Sequence, residues 1–414
     1  MKQNSYFRGL ITGVLISLVL VGTLFLTGCF LKPYFQDSDG NGKAEQASDE
    51  KQSPEDLLDS RSDEIMEKLE KLQQVVDNYY LYDDKVDVDD MIQGIYSGFI
   101  KGLDEKYTTY YSPEEYARLQ ESSSGVYSGI GVMVSQNVNT GLITVVRPFE
   151  NGPGFEAGMQ KDDIIYKVED EEVTGKDLTE VVSKMKGKEG TPVNLTVYRP
   201  SEDAYIDMTI IRREVENPTV SHKMLDDSIG YIQIIEFDDI TTEQFNRAVD
   251  DLTSQGMTGL VLDLRDNPGG LLTSVCDILD RILPKELLVY TVDKDGRKVE
   301  NWAKDDDKLD MPISVLVNGN SASAAEILAG ALQDYDAGTL VGTTTYGKGI
   351  VQSVLPLSDG SAVKLTSAEY FTPNGRNIHG IGIDPDVEVE YNKESEKDNQ
   401  LESGIQVIQE QLQQ

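Results

Sequence analysis

Residues 313–328 read ISVLVNGNSASAAEIL, and this stretch decides the fold of the second half of the chain. The apolar run from Ile313 to Val317 predicts a buried strand, and the Asn-Gly-Asn that follows is a turn signal. Small residues come next and lead into a helical pattern that carries Ile327 and Leu332. The stretch therefore predicts a strand, a tight turn and a helix of an α/β structure.

Two serines, Ser321 and Ser323, fall at the predicted turn. The first N–H groups of a helix have no partner within the helix and carry partial positive charge. A hydroxyl at this point has potential oxyanion donors beside it, and its small neighbours leave room for a peptide. The turn is therefore a candidate site for a nucleophilic serine.

A serine nucleophile needs a base, and the histidines are poorly placed for that role. His222 lies in a polar stretch and His379 in a predicted turn, whereas Lys348 stands between Gly347 and Gly349. Glycines let a backbone turn tightly, which would bring the amine inwards. A lysine accepts a proton only when neutral, so burial must lower its pKa from about 10.4 to roughly 7–8.

Gln352 follows Lys348 by four residues, a spacing at which it could accept a hydrogen bond from the amine and orient it. Together, SASAAEI and GKGIVQ, with Lys348 placed 25 residues after Ser323, resemble the carboxy-terminal processing peptidases, the S41-type serine proteases. The resemblance covers roughly residues 60–390. It implies that Ser323 is the nucleophile, Lys348 the general base and Gln352 its orienting partner. Ala325 departs from the family, which often has serine there.

A polar, glycine-rich loop, Asp263 to Gly270, follows the predicted strand over 259–264. Ligand sites of α/β folds lie at such strand ends. The resemblance implies that backbone N–H groups here stabilise an oxyanion. The candidate donors are Gly269, Gly270 and Ala324. A purely structural turn, held by pairing of Arg265 with Asp266, is the alternative.

Residues 125–200 form a separate predicted module, with a glycine turn near its start and Val193 to Tyr198 as its last strand. This order, with AGMQKDDI at 157–164, resembles a PDZ domain. PDZ domains bind a peptide as an added strand and hold its terminal carboxylate with backbone N–H groups. The corresponding loop here is Gly129, Ile130, Gly131 and Val132.

The N-terminus carries Lys2 and Arg8, followed by an uncharged stretch from Gly9 to Phe30 that is long enough to span a bilayer. The positive flank predicts a cytoplasmic N-terminus. An uncleaved anchor is one alternative. The other is a lipoprotein signal, since Leu26 to Cys29 resembles a bacterial lipobox. Both alternatives place the remaining chain at the extracytoplasmic face of the cell membrane.

Composition narrows the possible partners. The 414 residues have a net charge of −36, which disfavours nucleic acid and anionic lipid as partners because both would be repelled.

Of the two cysteines, Cys29 lies in the apolar segment and Cys276 in a helical pattern, so no disulfide framework is expected. The segment Asp37 to Gly42 alternates oxygen donors, but Ser48 stands where a calcium loop needs glutamate. We therefore expect neither metal nor cofactor.

The predicted architecture is an α/β (α+β) multidomain chain, with a ClpP/crotonase-like body, an inserted PDZ domain and an N-terminal helical region. The segments are an anchor or lipoprotein signal over 1–32, an acidic linker over 33–60, a helical region over 61–120, the PDZ domain over 121–212, the peptidase core over 213–390 and a tail with a helix over 391–414. Two short strands are expected at 362–365 and 369–372. The family resemblance suggests a homodimer through the helical region, while packing of these helices within one chain is equally compatible. The apolar pattern of Ile405, Ile408 and Leu412 predicts a terminal helix that could add to a dimer contact.

The function that these features predict is a serine endopeptidase that cleaves proteins near their free C-termini after PDZ binding. A non-catalytic PDZ scaffold on a hydrolase-like body is the alternative, and a crotonase-like lyase is a further one. The intact set of Ser323, Lys348 and Gln352 disfavours the scaffold. The PDZ module and the membrane segment disfavour the lyase.

Overall fold

The computed structural model describes residues 58–225 and 228–413, which divide into two units between Lys85 and Val86. In the first unit, helix α1 spans Ser62–Tyr79 and a 3-10 helix spans Asp83–Lys85. The anchor, the lipobox and the acidic stretch lie outside the described residues, apart from the linker's last three positions. None of the helices in the described ranges is both long and apolar enough to cross a bilayer.

The second unit contains eight described helices. They are α2 (Val88–Lys101), α3 (Pro113–Ser124), α4 (Pro153–Glu156), α5 (Leu178–Met185), α6 (Thr241–Ser254), α7 (Leu272–Ile282), α8 (Ala324–Asp334) and α9 (Asn399–Leu412). The described strands, in chain order, are β1 (Thr109–Tyr111), β2 (Val126–Gly129), β3 (Val132–Gln136), β4 (Ile143–Pro148), β5 (Ile164–Val168), β6 (Glu171–Glu172), β7 (Pro192–Arg199), β8 (Ala204–Ile211), β9 (Arg213–Glu216), β10 (Val220–Met224), β11 (Ile229–Ile234), β12 (Gly259–Asp263), β13 (Leu287–Asp293), β14 (Lys298–Trp302), β15 (Ile313–Val317), β16 (Thr339–Gly342), β17 (Ile350–Pro356), β18 (Ala362–Phe371) and β19 (Val387–Glu388).

The central sheet has the order β10-β11-β12-β15-β16-β19, and its neighbours are parallel except for β10. Its inner strands β12 and β15 are buried at every residue, as parallel strands covered on both faces must be. Leu262 and Val315 pack in the cluster that includes α6, α7 and α8, whereas Val261 and Leu316 pack with Ile408 of α9. Because β12 and β15 run side by side, the loops after them emerge at the same edge of the sheet.

The predicted terminal helix is confirmed, and it covers the second face of this sheet. Ile408 is fully buried against Val261, Leu316 and Val341 of the same chain. The helix therefore uses this side chain within its own chain rather than in the suggested dimer contact.

A second sheet has the order β1-β18-β13-β14, with β17 also paired to β18. Strand β1 comes from the helical region, and its Thr109 pairs with Lys364 of β18. The expectation of two short strands at 362–365 and 369–372 is wrong, because β18 is continuous from Ala362 to Phe371. Strands β1, β13 and β17 provide hydrogen-bond partners for the backbone N–H and C=O groups of β18. This pairing keeps the strand extended through its middle, where the residue types favour strands only weakly.

The inserted module contains a sheet of the order β3-β4-β5-β7-β8, with β6 paired to β5. The prediction that Val193 to Tyr198 forms the last strand is wrong, since β7 turns at 200–203 into β8. The inward side chains of β8, Met208 and Ile210, complete the module's apolar core. An antiparallel ladder of β2 with β9, which we call the stem, carries the chain into and out of the module.

Candidate active site

Ser323 lies between β15 and α8 in a backbone conformation that is unusual for a residue with a side chain, with φ 56° and ψ −115°. Surrounding contacts hold this conformation. The amide of Ala322 donates to the carbonyl of Asn267 (2.9 Å), and the Tyr370 hydroxyl donates to the carbonyl of Ser323 (3.1 Å). Residues with strained backbone cluster at functional sites. The conformation of Ser323 therefore supports this turn as the candidate site of the nucleophile.

Ser321 has a structural role at the same turn. Its buried hydroxyl donates to the carbonyl of Leu264 (2.8 Å) and accepts from the amide of Asn318 (2.9 Å). These bonds join the loops that follow β12 and β15. Of the two serines at the turn, Ser323 therefore stays the candidate nucleophile.

Glu326 connects the nucleophile turn to the loop that carries Lys348. Its side chain is fully buried, and one oxygen accepts from the amides of Ser323 (2.8 Å) and Lys348 (2.9 Å). The other oxygen accepts from the Thr345 hydroxyl (2.6 Å) and the Gly347 amide (2.7 Å). Four donors satisfy a carboxylate that would otherwise be costly to bury. Sequence analysis missed this residue, although an acidic side chain in the first turn of an apolar helix is a signal.

The loop around Lys348 is close-packed at both of its glycines. A Cβ on Gly347, which has φ +85°, would lie 2.8 Å from the Gly382 nitrogen, and one on Gly349 would lie 2.6 Å from the His379 nitrogen. Side chains at these positions would collide with backbone, so glycine is required. The sequence argument for glycines on either side of Lys348 thus has a steric basis.

The amine of Lys348 rests 4.7 Å from the centre of the Tyr107 ring. In the described part of the chain no hydrogen bond joins this amine to the Ser323 hydroxyl. Burial lowers the pKa of Lys348, and the nearby ammonium of Lys364 lowers it further. The direction of this change is the one that a lysine base requires.

Gln352 lies on β17 and is partly buried. Its Nε2 atom is buried and, among the described residues, has no hydrogen-bond partner. An unsatisfied buried amide of this kind costs about 1–3 kcal/mol. The structure shows no bond from Gln352 to Lys348, so the orienting role stays a prediction.

The glycine loop after β12 lies directly against Ser323. A Cβ on Gly269, which has φ +103°, would lie 2.7 Å from Cβ of Ser323 and 2.8 Å from the carbonyl oxygen of Ala322. The Gly269 amide already donates to the Asn267 side chain (2.8 Å). Gly270 is packed against the carbonyl of Phe237, where a Cβ would lie at 2.0 Å.

The predicted pairing of Arg265 with Asp266 is wrong. Arg265 Nη2 lies 2.6 Å from Asp263 Oδ2 and 2.8 Å from Asp398 Oδ2. Asp263 is buried at the end of β12 and needs this positive charge, whereas Asp266 accepts from the side-chain amide of Asn318 (3.0 Å). The loop is thus tied to the terminal helix and to the nucleophile turn.

The candidate carboxylate loop, residues 129–132, connects β2 to β3. The carbonyls of Ile130 and Gly131 accept from the amides of Gly154 (2.7 Å) and Phe149 (2.9 Å), which fixes the loop against the module. Strand β3 is the outer strand of its sheet, and within the described residues its other side is unpaired. An edge strand with a free side can accept a peptide as an added strand. No contact in the structure tests whether the loop holds a carboxylate, and that role stays a prediction.

The remaining candidates lie outside this site. His222 on β10 bonds to Asp251 (Nε2 to Oδ2, 2.9 Å). Burial raises the pKa of Cys276 to about 12, which keeps the thiol protonated. Over residues 58–225 and 228–413, no group of three or more His, Cys, Asp or Glu side chains is arranged to hold a metal ion.

Comparison with known proteins gives a consistent result. A family model described as peptidase family S41 matches residues 228–389, and one described as a PDZ domain matches residues 144–199. The carboxy-terminal-processing protease of Bartonella bacilliformis is 38% identical over 309 residues, which are 72% of this chain and 70% of that protein. The carboxy-terminal processing protease CtpB of Bacillus subtilis is 35% identical over 335 residues, 80% of this chain and 69% of that protein. A solved structure of an S41 protease from Bacteroides fragilis, at 18% identity, shares the fold with a TM-score of 0.51 and covers 81% of this chain and 96% of its own.

Proposed function

Since the chain belongs to the S41 family of carboxy-terminal processing proteases, we propose that it is an endopeptidase in which Ser323 is the nucleophile and Lys348 the base. The observation that carries this assignment is the Glu326 carboxylate. One of its oxygens accepts from the amides of both residues, so their backbones lie side by side. The lowered pKa of Lys348 supports the role of base.

The reaction would proceed by acyl transfer. Neutral Lys348 takes the hydroxyl proton of Ser323 as Oγ bonds to the scissile carbonyl carbon. The resulting ammonium then gives the proton to the leaving amine, and water hydrolyses the acyl-enzyme by the same steps. In the structure the amine rests on Tyr107, so its stem must rotate towards Ser323. The side chain of Gln352 on β17 would accept a hydrogen bond from the amine at Oε1 and so orient the amine lone pair towards Ser323.

Two backbone amides are suited to hold the oxyanion. Ala324 is the first residue of α8, so its N–H has no partner within the helix. The amide of Gly269 is engaged by Asn267, which leaves Gly270 as the second donor. Each such donor contributes roughly 3–4 kcal/mol of transition-state stabilisation.

Replacing Gly269 with alanine is expected to lower kcat about 100-fold, with little change in KM. The new methyl group would lie 2.7 Å from Cβ of Ser323, so the oxyanion loop must move. Steady-state kinetics with a fluorogenic peptide measure the effect. The matched control is Gly296→Ala, because Gly296 also has positive φ (75°) but open space around it. Equal losses in both variants would refute a specific role for the Gly269 loop.

We further propose that the PDZ module selects substrates by their terminal carboxylate. The test compares one peptide with a free and with an amidated C-terminus, and mass spectrometry locates the cut. Amidation is expected to lower kcat/KM tenfold or more, because the backbone donors of loop 129–132 lose a charged acceptor. A peptide with an internal glutamate changed to glutamine controls for the charge. Equal cleavage of all three peptides would exclude carboxylate recognition, while binding without cleavage would favour the scaffold alternative.

We also propose that the peptidase lies on the extracytoplasmic face of the membrane, held by the N-terminal segment. The uncharged stretch from Gly9 to Phe30 and its positive flank support this location. Mass spectrometry of the mature N-terminus distinguishes a lipidated Cys29 from an intact anchor.

A further inference from the structure

Three lysine side chains, Lys106, Lys348 and Lys364, lie near one another at the candidate base. The chain has a net charge of −36, yet none of these lysines forms an ion pair with a carboxylate in the described part of the structure. Eight of the other eighteen described lysines, such as Lys184, pair with glutamate or aspartate. A single unpaired lysine is therefore ordinary, but three lysines together without a carboxylate partner repel one another, and this clustering calls for an explanation.

Strand β1 and the residues before it bring the three amines together. Tyr107 lies in the turn before β1, and Lys364 of β18 pairs with Thr109, two residues further along the chain. Lys348 lies 4.7 Å from the Tyr107 ring centre and Lys364 lies 5.5 Å from the Tyr111 ring centre. Lys106 is 5.1 Å from the same Tyr107 ring. The candidate base thus shares the Tyr107 ring with Lys106, while Lys364 lies over the ring of Tyr111 at the other end of the segment 107–111.

We propose that Lys364, assisted by Lys106, is a positioning residue that keeps Lys348 in its uncharged, proton-accepting form. The inference rests on the proposed function, since it assumes that Lys348 is the base. Like charges destabilise one another, so a neighbouring ammonium makes protonation of Lys348 less favourable. A cationic neighbour is an established way to activate a lysine.

The other groups that face Lys348 act in the opposite direction or are already engaged. Tyr346 and Glu105 favour the charged form of Lys348, as does the face of the Tyr107 ring. However, the Glu105 carboxylate accepts from the Tyr107 amide (3.0 Å) and from the Thr108 hydroxyl (2.7 Å). Tyr346 accepts a hydrogen bond from Lys106 (2.7 Å). Glu326 bonds to the backbone amide of Lys348. Burial and the two lysines prevail, and the pKa of Lys348 falls.

A substrate carboxylate bound among the three lysines is the competing explanation. Such an anion would favour the ammonium form of Lys348 and so would oppose its action as a base. The cluster therefore fits control of the base better than recognition of an acidic substrate.

The test is the pH profile of kcat/KM for the full-length protein and its Lys364→Met and Lys106→Met variants. Activity rises with pH as Lys348 loses its proton, which gives the profile a rising limb. Removing a neighbouring positive charge raises the pKa of Lys348 and so moves this limb to higher pH. Loss of one partly screened neighbouring charge is expected to move the rising limb by roughly half a pH unit for Lys364→Met, which is roughly a threefold loss of activity on that limb. Lys106 is exposed, so its effect is expected to be smaller. The plateau at high pH is expected to remain unchanged.

Arginine variants are the matched controls. Lys364→Arg and Lys106→Arg keep the charge and are expected to keep the wild-type limb. A Met variant that loses activity equally at every pH would overturn the proposal, because that result indicates a structural or substrate-binding role. A loss confined to substrates with acidic residues would support the competing explanation and overturn ours.

A second measurement does not depend on proteolysis. In the Ser323→Ala protein, the rate at which an amine-selective acylating reagent labels Lys348 is followed against pH by peptide mass spectrometry. Adding Lys364→Met is expected to move this labelling curve to higher pH by the same half unit. An unmoved curve would refute the proposal. Absence of hydrolysis in the wild type, with the curve moved as expected, would instead refute the proposed function alone.

Discussion

Lys348→Met is expected to lower kcat by at least about a thousandfold, because the serine hydroxyl then has no general base. Methionine keeps an apolar stem to lie on the Tyr107 ring, so the fold is expected to survive. Hydrolysis of a peptide substrate and the thermal unfolding midpoint are measured on the same protein. Full activity in this variant would exclude Lys348 as the base.

Ser323→Ala completes this experiment, since the two groups act as a unit. The double variant is expected to be no less active than either single one, as found for groups that share one step. A serine-directed acylating probe is expected to label the wild type and not Ser323→Ala. Labelling that persists in Ser323→Ala would assign the nucleophile elsewhere.

Glu326→Gln is expected to lower kcat/KM at least about 100-fold and to lower the free energy of unfolding by about 2–4 kcal/mol. Glutamine has the same shape but only one acceptor oxygen, while four donors face the buried carboxylate. Its NH2 group would meet two of those donors and leave them unsatisfied. The carboxylate holds the backbones of both Ser323 and Lys348. Misalignment of these two residues is therefore expected to lower the rate more than partial unfolding does.

The matched control is Glu243→Gln, which alters an exposed glutamate in the first turn of α6. Its effect on stability is expected to stay within about 0.5 kcal/mol. The rate at which the acylating probe labels Ser323 separates alignment from folding, since it is measured well below the unfolding temperature. Wild-type labelling and activity in Glu326→Gln would show that the carboxylate has no positioning role.

Local sequence patterns predicted those parts of the fold that depend on residues close together in the chain. The strand over 313–317 and the helix beginning at Ala324 are confirmed, and they place Ser323 at the turn between them. The resemblance to a family of serine peptidases with a PDZ domain is likewise confirmed, as is the fold. The roles of Ser323, Lys348 and Gln352 stay predictions, because their chemistry depends on a geometry that residue spacing does not give.

Long-range contacts account for what the sequence did not reveal. Tyr107 reaches Lys348 only because β1 pairs with β18, a partnership across more than half of the chain. Arg265 forms an ion pair with Asp398 rather than with its neighbour Asp266, because the terminal helix packs against the central sheet. Strand β8 was missed because its turn follows what already looked like a final strand. In each case tertiary pairing, rather than local preference, decides the outcome.

The stem has a consequence for protein engineering. Gly129 of β2 and Arg213 of β9 are cross-strand partners, so the two points at which the module joins the body are adjacent. A short hairpin turn could close the backbone there if the module were excised. The same two points could receive a foreign domain whose termini are close together. The module and the catalytic body are therefore joined at a single point, where we expect that another binding domain could be grafted in place of the module.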